Sequence, residues 1–500
     1  MKRYSFKIMV VLIAALALTD SLQLAAQQRI IQPIASTPMP QSLVYLPPPP
    51  DSLSMAFSND VARYFEGKSI RDTERGMQAY YDVPYSIPEI INRMSAVVGV
   101  DINPDDTPEC YQLIASAVTA VSNSCMAPKG YYKRRRPFDR FNELPYTAEK
   151  PENLKAQGSY PSAHSMLGWA GALLFSQLFP ESSVQILRSG WEYGQSRVII
   201  GVHWQSDVDA ARMMTSACVA RLLGSDAYLA QLELAKEELS GLTGQSPSLR
   251  VMDTLPIDAE FLPAPPDSAS VLFGSDLTVH FAQKALRDTE VGQRAVDDSQ
   301  MTADALCGIF GQVLHLTLNQ ETSPNIYRLI EEGIRQITAQ ADQAKTMFSR
   351  QRPSSMFSEM AATGEDIAAL NQTSSYPSTH AAVGWMTAQL LMDVAPRLQD
   401  SLLVRGRDYG DSRVIVGANW PTDIEAGRLL AGVSIGQFMN DPDLRQLFYK
   451  AREEYWDLSG VESVKADDNA DPPRFTLQGL PARDSDRGII VSKNRKILIP

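Results

Sequence analysis

The chain has 500 residues, enough for about three folding units, and its 44% hydrophobic and 21% charged content excludes a disordered or fibrous protein. A formal charge of −12 excludes general nucleic-acid binding, which needs a broad basic face. An anionic small substrate would need a local cationic pocket.

In chain order, residues 1–26 read as an export signal. Lys2, Arg3 and Lys7 precede an apolar run from Ile8 to Leu18, and the small residues Ala25 and Ala26 place a cleavage site before Gln27. The run is shorter than the roughly 20 residues that a membrane-spanning helix needs. The remainder is expected in the periplasm or secreted, with the outer surface as a further option and no integral membrane span.

From Tyr45 the chain begins a pattern that returns 216 positions later. YLPPPPDS at Tyr45 returns as FLPAPPDS at Phe261, RDTERG at Arg71 as RDTEVG at Arg287, SYPSAH at Ser159 as SYPSTH at Ser375, and YGQSRVIIG at Tyr193 as YGDSRVIVG at Tyr409. The copies are placed at 40–245 and 256–459, joined by a polar linker around Gln245 to Glu260. Apolar residues recur at three and four positions in HSMLGWAGALLFSQLF and DVDAARMMTSACVARLL, which predicts helices. The expected fold is all-α: two tandem helical bundles that pack on each other, each preceded by a proline-rich strap running extended over the surface. Residues 460–500 form an acidic linker followed by RFTLQGLPARDSDRGIIVSKNRKILIP, whose alternation predicts a β-hairpin turning near Asn494. This tail resembles the end of C-terminal sorting domains of the type IX secretion route.

Four cysteines in an exported chain raise the question of disulfides. Cys110 and Cys125 fall on one predicted helix, where fifteen residues at about 1.5 Å each hold them roughly 22 Å apart, too far to bridge. Cys218 and Cys307 lie on apolar helical patterns and read as small buried hydrophobes.

Three blocks of the first copy carry chemistry: Lys129 with Arg136-Pro137 seven residues on, Pro161-Ser162-Ala163-His164, and Ser196-Arg197 with His203 and Asp207. Lys129, Arg136 and Arg197 can supply cations to phosphate oxygens, and Ser162 and the Ala163 N–H would sit at a helix N-terminus opened by Pro161, a natural phosphate cradle. Lys133, Arg134 and Arg135 read as a solvated basic loop, and His280 and His315 fall in no block and receive no role.

In these blocks the sequence resembles the class A bacterial non-specific acid phosphatases of the type 2 phosphatidic acid phosphatase superfamily, which shares its oxyanion pocket with vanadium haloperoxidases. The resemblance runs through most of each copy. It implies a phosphomonoesterase without metal or cofactor, in which His203 is the nucleophile that becomes a phosphohistidine, Asp207 orients its ring, and His164 protonates the leaving oxygen. Two imidazoles of ordinary pKa, about 6.5, predict a bell-shaped pH profile centred in that region. Other readings stay open: a vanadate-dependent haloperoxidase, a lipid phosphatase, and a phosphate-ester binding protein without turnover.

Two departures from the family pattern bear on activity. Ala163 stands where glycine is usual, which matters only if the backbone there needs positive φ. In the second copy Lys345, Arg352, Ser378, His380, Arg413 and Asp423 match, but Asn419 occupies the nucleophile's place. A carboxamide nitrogen has no lone pair comparable to imidazole's, so this copy is expected to be inactive.

Overall fold

In the computed structural model, which describes residues 34–54, 56–243, 259–359, 361, 370–460, 475–476, 488–492 and 495–499, the apolar run after Ser162 becomes the central helix of the first repeat. The export signal, most of the inter-repeat linker and the acidic linker lie outside the described residues.

The longer helices of the first repeat are α1 (Phe57–Ser69), α2 (Glu74–Tyr81), α3 (Ile87–Val98), α4 (Pro108–Tyr132), α5 (Ala163–Leu178), α6 (Ser183–Ile199), α7 (Gln205–Leu223) and α8 (Asp226–Thr243). The second repeats the set as α9 (Val271–Lys284), α10 (Glu290–Asp297), α11 (Ala303–Leu314), α12 (Pro324–Met347), α13 (Thr379–Val394), α14 (Gln399–Ile415), α15 (Pro421–Asn440) and α16 (Pro442–Ser459). The all-α expectation for the body of the chain holds. No helix among the described residues is long and apolar enough to cross a membrane.

Helix α5 is apolar around nearly its whole circumference, so α3, α4, α6 and α7 can all pack against it. Its crossing with α6 is close because both carry glycine there: a Cβ on Gly168 would lie 2.5 Å from Tyr193 Cδ1, and one on Gly190 2.6 Å from the Gly168 carbonyl. Thr73, Ser86 and Ser162 cap α2, α3 and α5 with their side-chain oxygens. The cap residue of α4 makes no such bond; the carboxylate of Glu238 on α8 accepts instead from the N–H groups of Glu109 (3.1 Å) and Cys110 (2.9 Å). Cys110 and Cys125 share α4, and all four cysteines are buried free thiols.

The prolines of the lead-ins run outside helix and strand at the surface, as expected of a strap, Pro47 and Pro48 being exposed, but the residues just before them are anchored in the core. Ser42–Tyr45 forms one helical turn, and Tyr45 and Leu46 are buried, because a tyrosine and a leucine gain more from a core than from water. The hydroxyl of Tyr160 donates to the Pro47 carbonyl, and 216 positions on Tyr376 donates to Pro263.

Each lead-in also touches the other repeat. Arg407 on α14 donates to the Tyr45 carbonyl at 2.8 Å, Asp400 accepts from the Gln41 N–H at 2.7 Å, and Arg188 on α6 donates to the Glu260 carbonyl at 2.7 Å. Between these contacts α7 and α15 lie against each other. Arg221 on α7 pairs with Asp393 on α13 at 2.9 Å, both side chains being largely buried, and Gln389 donates to the Ser216 carbonyl at 3.1 Å.

The chain divides into two compact units, Met1–Arg452 and Glu453–Pro500, so both repeat sites belong to the first. The second contains the end of α16 and an antiparallel sheet of order β1 (Phe475–Thr476), β2 (Gly488–Ser492), β3 (Arg495–Ile499). Ser492 pairs with Arg495, which closes the expected hairpin at its predicted place, and β1 adds a strand to it.

Candidate active site

Lys129 lies in the last turn of α4, which ends at Lys133 in the left-handed conformation (φ 44°) and so turns the chain back. Its buried ammonium donates to the Gly158 carbonyl at 3.0 Å. Arg136, in extended conformation before the short turn Pro137–Arg140, donates from Nε to the Leu154 carbonyl (2.6 Å) and from Nη1 to the Val202 carbonyl (2.8 Å).

Ser162 caps α5, its Oγ accepting from the Ser165 N–H at 3.2 Å, while its own N–H donates to the Asp207 carbonyl at 2.9 Å. Pro161 follows a cis peptide bond and precedes the cap, so it does not open the helix as expected. Ala163 is the first helical residue and has no positive φ, so its methyl group leaves the backbone N–H in place.

His203 sits between α6 and α7, outside either helix, and Trp204 caps α7. The pairing with Asp207 therefore does not come from one helical turn. The Asp207 side chain folds back to accept from the Trp204 N–H at 2.9 Å, and its Oδ2 lies 3.3 Å from His203 Nδ1. Nη1 of Arg136 stands 3.0 Å from Nε2 of His203. A guanidinium only donates, so Nε2 carries the lone pair and Nδ1 the proton that faces Asp207. His164 donates from Nε2 to the Asp82 carbonyl at 2.6 Å and stacks on Tyr193 at 4.2 Å between ring centres, which leaves Nδ1 as its remaining nitrogen.

Charge is concentrated here under burial. Burial, helped by Arg136 and Arg197, lowers Lys129 to about 8, and burial lowers Arg136 to about 10. Burial pushes both imidazoles well below 6.5, aided at His164 by Arg197 and at His203 by Arg136. Both directions point a two-histidine bell to the acid side of the expected centre, which assumed solvent-exposed imidazoles. Although burial opposes it, Arg134 with His203 holds the Asp207 carboxyl below its ordinary range.

Arg134 corrects the solvated-loop reading. Its side chain is 9% exposed and bridges two buried carboxylates, Asp207 (2.6 Å) and Asp60 on α1 (2.6 Å). Lys133 and Arg135 are exposed as expected, Arg135 pairing with Asp139. Sequence reasoning also passed over Glu149, which accepts from Arg197 Nη2 at 2.8 Å. A signal for Arg134 and Asp60 existed in the repeat itself, since both recur 216 positions on as Arg350 and Asp276. His280 is buried against Phe357 and 3.2 Å from Glu359, a packing role, and His315 is an exposed helix cap.

A cleft of about 500 Å³ opens over Lys129 and Arg136, bounded by Met126, Arg135, Lys155 and Gly158. Buried cations beside a helix N-terminus are the kind of groups that hold a tetrahedral oxyanion, and the unprotonated His203 Nε2 lies beside one of them, Arg136.

The second repeat keeps the frame and changes its centre. Arg350 bridges Asp276 and Asp423 at 2.5 Å each, and Asp423 accepts from the Trp420 N–H at 2.8 Å. Arg352 donates to the Leu370 and Ala418 carbonyls, and His380 Nε2 to Ser299 at 2.9 Å. Ser378 caps α13, and Arg413 is fully buried on α14. Asn419 donates to the Ser375 carbonyl at 2.7 Å.

Comparison with known proteins gives a consistent pattern. The profile of the PAP2 superfamily matches twice, at residues 110–227 and 333–446. A non-specific acid phosphatase of Providencia stuartii is 41% identical over 202 residues, 40% of this chain and 82% of the relative. A protein of the same name from Salmonella typhimurium is 42% identical over 200 residues, 40% and 80% of the two chains. An acid phosphatase of Zymomonas mobilis is 31% identical over 197 residues, 39% and 75%.

Proposed function

Because the chain belongs to the PAP2 superfamily, as a tandem duplication of a domain like that of the bacterial non-specific acid phosphatases, we propose that its first repeat hydrolyses small phosphate monoesters through a phosphohistidine. The observation that carries this reading is Arg197: 3% exposed, it pairs Glu149 through Nη2 while its Nε and Nη1 are buried without a hydrogen-bond partner. Buried donors of this kind are normally satisfied, and a phosphoryl oxygen would satisfy them.

His203 Nε2 attacks phosphorus, the P–O ester bond breaks, and the leaving oxygen takes a proton from His164. Asp207 accepts the Nδ1 hydrogen bond and stabilises the ring as it becomes cationic. Water then attacks the phosphohistidine, giving a proton to His164 and releasing phosphate and neutral His203. Lys129, Arg136, Arg197 and the N–H groups after Ser162 hold the equatorial oxygens. A metal ion would be repelled by these cations, so the reaction proceeds without one.

Asn419 leaves the second repeat without turnover, and its helices serve as the partner surface of a fused pseudo-dimer, supported by the reciprocal lead-in contacts. Export, supported by residues 1–26, places the activity outside the cytoplasm.

His203→Ala tests the scheme. Turnover should vanish with the melting temperature preserved, rapid quenching of wild type with a labelled ester should trap acid-labile phosphate on protein, and a chelator should leave the rate unchanged. More than a few per cent residual activity would overturn the assignment.

A further inference from the structure

We propose that Tyr85 is a specificity-determining residue of the first repeat, a platform that receives a planar aromatic ring carried close to the ester oxygen of the leaving alcohol. The proposal rests on the reading of His164 as the group that protonates the leaving oxygen, because it assigns the place into which that oxygen carries its substituent.

Tyr85 lies in the turn between α2 and α3 and is fixed on both sides. The Asp82 carbonyl accepts from His164 and the Pro84 carbonyl from the Tyr193 hydroxyl, while Ser86 caps α3 by accepting from the Glu89 N–H at 3.3 Å. The ring held there is 53% exposed, although it stacks on His164 with 5.7 Å between ring centres and 25° between planes. That is an offset stack, so the imidazole covers only part of the tyrosine face. Tyr193, the other ring on His164, stands closer at 4.2 Å and 17° and is buried. Burial, together with the Cys125 thiol on α4, raises the Tyr85 hydroxyl, and Cys125 is one helical turn before Lys129. Tyr85 thus borders both the acid and the cations of the site.

An acid that protonates a leaving oxygen stands about 3 Å from it. The substituent on that oxygen then begins beside the imidazole, within reach of the part of the Tyr85 face that the imidazole leaves uncovered. A planar ring there continues the imidazole layer over the tyrosine. A saturated ring is thicker and has no π face with which to stack.

The second repeat separates this role from a structural one. It holds its own imidazole in the same manner: His380 Nε2 donates to the Ser299 carbonyl at 2.9 Å and stacks on Tyr409, whose hydroxyl donates to the Gln300 carbonyl at 2.8 Å. Tyr409 and Gln300 are the counterparts of Tyr193 and Pro84, but the counterpart of Tyr85 is Met301. The copy that lacks the nucleophile therefore keeps the inner tyrosine and dispenses with the outer one, so the outer ring is not needed to seat the histidine.

Steady-state kinetics of the full chain on benzyl phosphate and cyclohexylmethyl phosphate tests the proposal, since the two leaving alcohols are alike in size and acidity and differ in flatness. The wild type should have the higher kcat/KM on the benzyl ester. Tyr85→Leu should lower the ratio of the two kcat/KM values by about 2- to 12-fold, mostly through a higher KM for the benzyl ester, as expected of a contact made equally in the ground and transition states. Tyr85→Phe, which keeps the ring, should keep the ratio. No preference in the wild type, or a ratio unchanged in Tyr85→Leu, would overturn the platform; an equal loss of kcat on both esters would make Tyr85 a brace for His164 instead. Turnover of neither ester by the wild type, with no acid-labile phosphate on the protein, would overturn the reading of the first repeat on which the proposal rests.

Discussion

Ser216 and Gly432 occupy the same position of the two repeats and face each other across them: a Cβ on Gly432 would lie 2.5 Å from Ser216 Oγ and 2.7 Å from its Cβ. Equivalent residues meet in this way only near a two-fold axis, so α7 and α15 cross at the pseudo-symmetry axis of the duplication. The symmetry is broken at that point for a steric reason, since two serines would collide. Ser216 accepts from Trp169 Nε1 at 3.1 Å, whereas the buried indole N–H of Trp385 has no hydrogen-bond partner.

Gly432→Ala should therefore strain the contact between the repeats. A loss of about 1–3 kcal/mol is expected, typical of overpacking. Calorimetry of the full chain reads it as a lower melting temperature, and an unchanged or higher one would show that the crossing is looser than these distances require.

Arg134 should act on the rate through Asp207. Arg134→Ala leaves Asp60 and Asp207 as buried carboxylates without their shared cation, a loss of about 3–5 kcal/mol in stability. Since Asp207 also orients His203, kcat should fall by about 10- to 100-fold with KM little changed. Arg350→Ala in the second repeat is the matched comparison: similar destabilisation with kcat nearly intact. Equal effects of the two substitutions on kcat would mean that Arg134 acts only through stability.

The pH profile of kcat/KM should peak below 6.5. His203 must be neutral to attack and His164 protonated to donate, and burial lowers both. The nucleophile stays competent into acid, while the acid group loses its proton at a lower pH than free imidazole, so the alkaline limb moves to acid. Initial rates between pH 4 and 8 check this, and a maximum above 7 would refute the assigned roles.

Stability of the ligand-free protein should fall as the pH drops below about 6.5. The unfolded chain then binds protons on His164, His203 and His380 that the folded chain refuses, because burial lowers all three. Each contributes about 1.4 kcal/mol per pH unit between its unfolded and folded pKa values. The Asp207 shift has the same sign, and its contribution is lost only in stronger acid, below its ordinary value. Melting curves at pH 7 and pH 5 test the slope, and added inorganic phosphate should reduce it by favouring protonated His164.

Arg197→Ala should lower kcat/KM by about 10²–10³-fold, the usual effect of removing one oxyanion donor. Glu149→Gln, which keeps the hydrogen-bonding shape, should cost less. Steady-state kinetics on one monoester decides between this order and its reverse.

Much of this protein follows from local pattern. The duplication, the helices from Pro108 to Tyr132 and from Ala163 to Leu178, the hairpin at Ser492 and Arg495, and the cleft residues Lys129 and Arg136 are all short-range features of composition, spacing and period. Periodicity dictates a helix wherever one face must be buried, and a block such as Pro161-Ser162-Ala163-His164 brings its own backbone geometry with it. Long-range pairing decided the rest. Arg134 looks like one of three solvated cations until Asp60, 74 positions earlier, and Asp207, 73 positions later, close on it. Burial, which no residue carries in its own identity, lowers the two histidines, and only the folded chain brings Ser216 against Gly432.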